Sequence, residues 1–439
     1  MGESTADVNK QQDSESGQDS SVAATAETHD GPASAATTTP APSSVGEGPK
    51  PGSKWRPAGE SDKTSRANVD NKAGHYKPGT GLTIASKDGR FLLATRLRAQ
   101  FRYTLNSDEE QLQHGFQIRR ARVQFKGHMF SKDVKFKTEL AFSPKDLGFD
   151  GTPHRTPLLT WYTELAHLRD LTVRMGQYKL PFSRQRVISS GNLQMVDRSI
   201  ANGEFNIDRD IGLDIRSKDF LGLGKLKYYA GVYMGEGRDV SAPSNFEMLY
   251  LARVEVLPLG LFKDYSEADF ARTKPRLALG AAYAYHDGAL NNRGVIGKTP
   301  TDGGTTDFHI ATADFLFKAY GFSATGEAFV RDGTRNFGTV TMADNGPTTA
   351  PAENEDVRRG FGWHGQAGYL IPRLPLEFAG RYSQVRSYRT SSLSDRDSAG
   401  GAVSWYFSHH PLKVQADFFH QWQANQASDH FRVQFQAAF

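Results

Sequence analysis

Residues 94–105 read ATRLRAQFRYTL, and alternate positions separate by chemistry. Arg96, Arg98, Gln100, Arg102 and Thr104 fall on one face; Leu97, Ala99, Phe101, Tyr103 and Leu105 fall on the other. A period of two is that of a β-strand, here with one cationic and one apolar face. The pattern recurs. Over 116–129, Arg120, Arg122, Gln124, Lys126 and His128 oppose Ala121, Val123, Phe125 and Met129. Over 133–143, Lys135, Lys137 and Glu139 oppose Val134, Phe136, Leu140 and Phe142. Over 171–179, Thr172 and Arg174 oppose Leu171, Val173 and Met175. Carried along the chain, the pattern predicts sixteen strands. They are 91–105, 116–129, 133–143, 157–168, 171–179, 210–217, 224–234, 247–257, 275–286, 305–318, 321–331, 357–371, 374–387, 399–408, 411–423 and 429–439. Most are about ten residues long, the length a tilted strand needs to cross a bilayer.

The connections sort by length. Ser131-Lys132, Arg169-Asp170, Tyr320, Pro372-Arg373 and His409-His410 mark short turns, whereas 144–156, 180–209, 287–304 and 332–356 are long. Short turns at one end and long loops at the other describe an outer-membrane barrel, and an even strand count puts both termini at the periplasmic, short-turn end. One connection breaks the rule: 258–274 should be short and is long. A β-sandwich rarely needs sixteen strands and does not sort its loops by length. A propeller would repeat every 40–50 residues or so, and no such self-similarity is visible.

The barrel decides which face is wet. One cation facing lipid costs about 2–4 kcal/mol at the bilayer midplane, so three on one strand would consume most of a stability margin of about 5–15 kcal/mol. The arginines therefore face water inside the barrel. The terminal HFRVQFQAAF agrees, placing Phe431, Val433, Phe435, Ala437 and Phe439 on one face. A terminal aromatic of this kind is expected to be read by the barrel-assembly machinery. Composition fits: 38% hydrophobic residues, yet 11% aromatics and 43 Gly. With no cysteine, disulfides, thiolate metal sites and Cys nucleophiles are excluded. No stretch reaches the roughly 20 apolar residues of a membrane-spanning helix. MGESTADVNKQQ has neither the basic nor the apolar region of a signal peptide, so an exported chain would be numbered here after processing or re-engineering.

Residues 1–80 are rich in Ser, Thr, Ala, Pro and Gly and cannot bury enough apolar surface to offset ordering. They are expected to be a disordered tether, or equally a cloning remnant or processed leader, ahead of a barrel over 81–439. The tail holds 8 basic and 11 acidic residues, leaving 45 basic and 38 acidic in the barrel. A basic excess suits nucleic acid, an anionic surface or a small anion. No nucleic-acid module accompanies it.

The stretch VRMGQYKLPFSRQRVISS, then MVDRS, then FNIDRDIGLDI, resembles the phosphate-selective porin O and P family. The shared positions are Gly176, Gln177, Tyr178, Lys179, Pro181 and Phe182, then Asp197, Arg198 and Ser199, then Arg209, Asp210 and Gly212. RRARVQFKG, from Arg119 to Gly127, looks like that family's second strand. The resemblance covers roughly 80–439. It implies a sixteen-stranded, trimeric porin of a Gram-negative outer membrane, with 180–209 folded into the lumen as a constriction.

Anions then need Arg and Lys projecting into a narrow lumen as several weak sites in series. The candidates are Arg96, Arg98, Arg102, Arg120, Arg122, Lys135, Lys137 and Arg174 on adjacent strands, with Lys179, Arg184, Arg186 and Arg198 from the constriction loop. Guanidinium offers a planar fork to phosphate oxygens, and Lys a point charge. The competing expectation is that these cations pair with lumenal carboxylates such as Glu139, Glu164, Glu255, Glu327 and Asp417. Asp208, Asp210 and Asp214 suggest a Ca²⁺ or Mg²⁺ site but lack its spacing, which favours salt bridges to Arg198 or Arg209. His409-His410 is expected to be an exposed turn rather than a metal site. No nucleophile elbow, phosphate-cradling loop or zinc helix is present, so neither catalysis nor a cofactor is expected. The leading reading is a passive porin for small, phosphate-like anions. A barrel acting as adhesin or anchor with a plugged lumen, and a porin for neutral or sugar-like solutes, are the alternatives.

Overall fold

In the computed structural model the alternation turns the protein inside out. From Leu97 to Arg102 exposed and buried residues alternate strictly, with Arg98, Gln100 and Arg102 buried and Leu97, Ala99 and Phe101 exposed. The structure describes residues 74–77, 79–108, 111–148, 155–240, 247–338, 341–343, 346–348, 355–424 and 426–439. Most of the tail expected over 1–80 lies outside these residues, as do parts of the long loops 144–156 and 332–356.

Sixteen antiparallel strands form the wall: β1 Leu92–Asp108, β2 Leu112–His128, β3 Val134–Ala141, β4 Leu158–Leu165, β5 Thr172–Lys179, β6 Arg209–Ser217, β7 Leu226–Tyr233 and β8 Leu249–Val256. They continue as β9 Arg276–Ala289, β10 Thr305–Ala319, β11 Phe322–Asn336, β12 Gly360–Leu370, β13 Leu376–Ser387, β14 Arg396–Ser408, β15 Leu412–Gln423 and β16 Gln426–Ala438. Each pairs with its sequence neighbours, and β16 closes on β1 from Ser428↔Asp108 to Ala438↔Arg98. Closure leaves no unpaired edge. Every predicted strand is present, with β1, β2 and β11 running several residues further toward the long-loop end.

Two features depart from the simple pattern. A hairpin, His75–Lys77 and Gly81–Ala85, extends the wall at the short-turn end by pairing with β1 at Leu92–Thr95, so ordered chain begins inside the stretch expected to be tail. In β2 the register slips by one: Gln100 faces Arg120, but Phe101 faces Ile118. Arg119 is the extra residue of this bulge.

Lumen-facing positions are not uniformly polar. On β8, β10 and β11, Leu249, Leu251, Phe308, Ile310 and Phe329 point inward and pack on Leu180, Phe182, Phe205 and Ile207. These last four belong to the β5–β6 connection 180–208, which therefore folds into the barrel and is held there by an apolar cluster. Within it lie two short helices capped by Ser183 and Ser199, at Arg184–Val187 and Ile200–Phe205. The long connection after β8 also enters the lumen, from the short-turn end: Ser266–Asp269 are all buried.

Candidate permeation path

The connection 180–208 crosses the lumen and is tied around its circumference. On the β1 and β16 side, Arg98 donates to Ser189 Oγ (2.9 Å) and Gln436 to the Gly191 carbonyl (3.0 Å). Lys413 of β15 donates to the Leu193 carbonyl (2.8 Å), and Asp417 accepts from Val196 N–H (2.9 Å). On the opposite side Ser183 Oγ donates to Glu327 (2.9 Å), while Arg184 pairs with Asp314 (2.5 Å) and Glu255 (2.9 Å). Beneath the loop, Gly176 of β5 has φ +130°. A Cβ there would sit 2.2 Å from the Trp161 carbonyl oxygen, so only glycine fits this close strand approach.

The loop leaves open space on the β1–β6 side and, beside β7 and β8, a further cavity of about 380 Å³ lined by Arg184, Arg216, Arg253, Glu255, Lys263 and Asp264. An inner cavity of about 340 Å³ is lined by Arg96, Arg98, Arg122, Lys126, Lys137, Arg174, Lys179 and Arg209, with Glu139 as its one carboxylate. An outer cavity of about 270 Å³ toward the long loops is lined by Arg119, Arg120, Arg122, Lys145, Arg155, Lys179, Arg186, Arg198, Arg209 and Arg238, with Asp146 and Asp208. The two adjoin, with Arg122, Lys179, Ser190 and Arg209 lining both, and together they make up the candidate path. Fifteen different cations and three carboxylates line it.

The sequence candidates are distributed unevenly along this path. Arg96 lines the inner cavity, and its buried Nε has no hydrogen-bond partner among the described residues. Arg122 sits at the junction, bridging Glu139 (3.1 Å) and Asp146 (2.9 Å). Lys137 pairs with Glu139 (3.2 Å), and Arg174 pairs with Glu164 (2.7 Å) while lying 4.1 Å over the Tyr162 ring. Lys179 donates to the carbonyls of Arg186 (2.6 Å) and Ile188 (3.3 Å). Arg186 pairs with Asp208, and Arg198 donates to the carbonyls of Gln185 (2.9 Å) and Ile188 (2.8 Å). Three candidates lie off the path. Lys135 stands at the short-turn rim. Arg102 is turned to Asp197 (3.1 Å), Gln434 and the Val196 carbonyl, and works as a tie of the loop. Arg184 faces the opposite wall.

Asp197 gathers Arg102 (3.1 Å), Arg119 (3.6 Å) and Arg120 (3.6 Å). Burial opposes its ionisation, but the guanidiniums of Arg119, Arg102 and Arg120 outweigh burial and hold the carboxyl well below its ordinary range. Asp208 is depressed in the same way: burial is overcome by Arg186 and Arg209. The acidic triplet therefore separates. Asp208 takes Arg186 and Arg209, Asp210 accepts the N–H groups of Gly235 (2.6 Å) and Gly237 (3.2 Å), and Asp214 takes Arg216 (2.6 Å) and Tyr178 (2.5 Å). Among the described residues no group of side chains is arranged to hold a metal ion.

Sequence reasoning missed six of the path cations as candidates: Arg119, Lys126, Lys145, Arg155, Arg209 and Arg238. Strict alternation puts Arg119 on the lipid face, and the bulge turns it inward. Adjacent arginines in one strand were the available signal, since one of them on lipid would cost about 2–4 kcal/mol. Arg155 and Arg238 come from long-loop connections that carry no period. The expectation for His410 is corrected: it is 5% exposed, covered by Phe270 and Tyr406 beneath the entering connection. His409 is exposed.

A family model described as phosphate-selective porin O and P matches residues 91–438. Among solved structures, an anion-selective porin from Comamonas acidovorans is similar at TM-score 0.53 and 12% identity, covering 79% of this chain and 99% of its own. A loop L8 deletion mutant of OmpT, an outer membrane protein of Vibrio cholerae, is similar at TM-score 0.50 and 11% identity, with 79% and 99% covered. No curated protein sequence matches the chain.

Proposed function

Since the chain belongs to the phosphate-selective porin O and P family, and is an outer-membrane channel rather than an enzyme, we propose that it passes small anions by passive diffusion, phosphate-type oxyanions foremost. The observation that carries this reading is the composition of the path, fifteen cations against three carboxylates. Cations in series, each only partly engaged by neighbours, give an anion a favourable route with no single deep well. Guanidinium predominates, and its planar fork suits oxyanions better than halide. Arg96, Arg98, Arg122, Lys137 and Arg174 would serve the inner cavity. Arg120, Arg186 and Arg198 would serve the outer one, with Lys179 between them. The outward apolar residues would meet lipid, Phe439 would be the signal to the assembly machinery, and the channel would work as a homotrimer.

The test is the reversal potential of purified protein in a planar bilayer under a KCl gradient, repeated with phosphate added. Chloride preference that phosphate blocks is the expected result, and Arg96→Ala/Arg98→Ala should abolish it. Conductance without ion preference would remove the anion assignment. No conductance in folded protein would favour an anchor whose lumen 180–208 closes.

A further inference from the structure

We infer that the cavity beside β7 and β8 is a binding subsite for aromatic oxyanions, ligands with a charged head joined to one planar ring. The inference deepens the anion reading and rests on it for the path that delivers such a ligand. The cavity measures about 380 Å³ and adjoins the inner cavity, with Arg174, Lys179, Val187 and Ser189 lining both. That volume lies in the range of about 300–1,000 Å³ typical of pockets for small organic molecules. Its wall is partly apolar, through Pro181, Val187, Ile188, Tyr229 and Tyr265. Val187 is 50% exposed where the two cavities meet, and an apolar side chain there offers nothing to an inorganic ion.

Strand register builds a flat recognition surface on the other side. Arg216 of β6, Tyr229 of β7 and Arg253 of β8 share one rung, Tyr229 pairing with both, and period-two alternation turns all three inward. The Arg216 guanidinium stands 5.1 Å from the centre of the Tyr229 ring. Planar guanidinium and phenol faces suit stacking with another ring. Charge then sets the orientation of the ligand. Six cations line the cavity, but carboxylates hold four of them: Arg174 by Glu164, Arg184 by Glu255, Arg216 by Asp214 and Arg253 by Asp314. Lys179 has only the carbonyls of Arg186 and Ile188. Lys263, exposed on the connection after β8, is in no ion pair among the described residues. The head therefore sits at Lys179, on the path, and the ring lies in the side cavity against Val187 and Tyr229. Inorganic phosphate can fill only the first of these positions.

The experiment titrates phenyl phosphate and methyl phosphate, which share a head and differ in the ring, against the chloride current of the full chain in a planar bilayer. Phenyl phosphate should half-block at about a tenth of the concentration that methyl phosphate needs, the worth of one stacked aromatic contact. Val187→Ser, at an exposed position, and Tyr229→Ser should each narrow that gap and leave block by methyl phosphate unchanged, whereas Tyr229→Phe, which keeps the ring, should preserve it. Equal block by the two esters, or a gap that survives both serine variants, would overturn the inference. Calorimetric titration of the folded protein in detergent with phenyl phosphate reads binding without conduction. A negative heat-capacity change in the wild type, lost in Val187→Ser/Tyr229→Ser, is expected, and identical titrations of the two proteins would overturn the subsite. A wild-type channel without anion preference would remove the anion reading, while calorimetry would still decide the subsite.

Discussion

The two sides of the lumen use the same residue types to opposite ends. Around β8–β16, wall carboxylates are matched by cations of the wall or of the inserted chain: Arg253 with Asp314, Arg432 with Asp417, and Arg184 of the crossing loop with Glu255. Along β1–β6, two adjoining cavities carry five cations for each carboxylate. Charge type therefore does not distinguish a structural arginine from a path arginine. The local balance of charge and the presence of packed chain do. Removing one partner of a buried pair leaves an uncompensated charge, whereas removing a cation from a surplus changes the potential without opening a structural gap.

The sharpest way to break this comparison is Arg184→Ala. It leaves Asp314 to Arg253 and Glu255 to Lys227, removes two buried charged hydrogen bonds, and should cost ~2–3 kcal/mol, read as a lower unfolding midpoint of the folded barrel in detergent. Next comes Arg122→Gln at the junction. It leaves Glu139 and Asp146 inside the path and should lower the anion-to-cation permeability ratio about tenfold, equivalent to ~1.4 kcal/mol at the barrier.

Acid provides a smaller probe. The carboxyls of Asp197 and Asp208 lie below their ordinary 3.8 in the folded protein. The stability they give is therefore present above the ordinary value and lost as pH falls through their own lower values. Tryptophan-monitored melting should be level from pH 8 down to about 5 and weaken only in stronger acid, and Asp197→Asn should reduce that acid dependence. The smallest effect is expected of Arg96→Lys: chloride conductance should be nearly unchanged, while phosphate block measured by titration should weaken as the fork is lost.

The wall was legible in the sequence because period-two alternation is imposed residue by residue by the contrast between lipid and lumen. Both the sixteen strands and the inward direction of Arg98 and Arg122 follow from it. The bulge at Arg119 was not legible, since one inserted residue reverses the phase without changing composition. The inward apolar faces of β8, β10 and β11 were hidden too: a residue such as Phe308 satisfies an apolar pattern whether it meets lipid or the inserted loop. Loops have no period, so Arg184 and Arg186, two residues apart, could not be assigned to opposite sides of 180–208 before the fold was known. The long connection after β8 was visible as an anomaly, but its destination depended on what Glu267 and Asp269 would find inside.

The junction at Arg122, Lys179, Ser190 and Arg209 has an electrical meaning. Two wet compartments joined at one level behave as resistances in series, and the applied field concentrates where they meet. Moving one elementary charge through 100 mV is worth about 2.3 kcal/mol. An ion in either compartment would feel little of that drop, and an ion between Arg122 and Arg209 would feel most of it. Membrane voltage would then tune the dwell time of an anion at this single level, while salt concentration governed how often the two compartments delivered one to it.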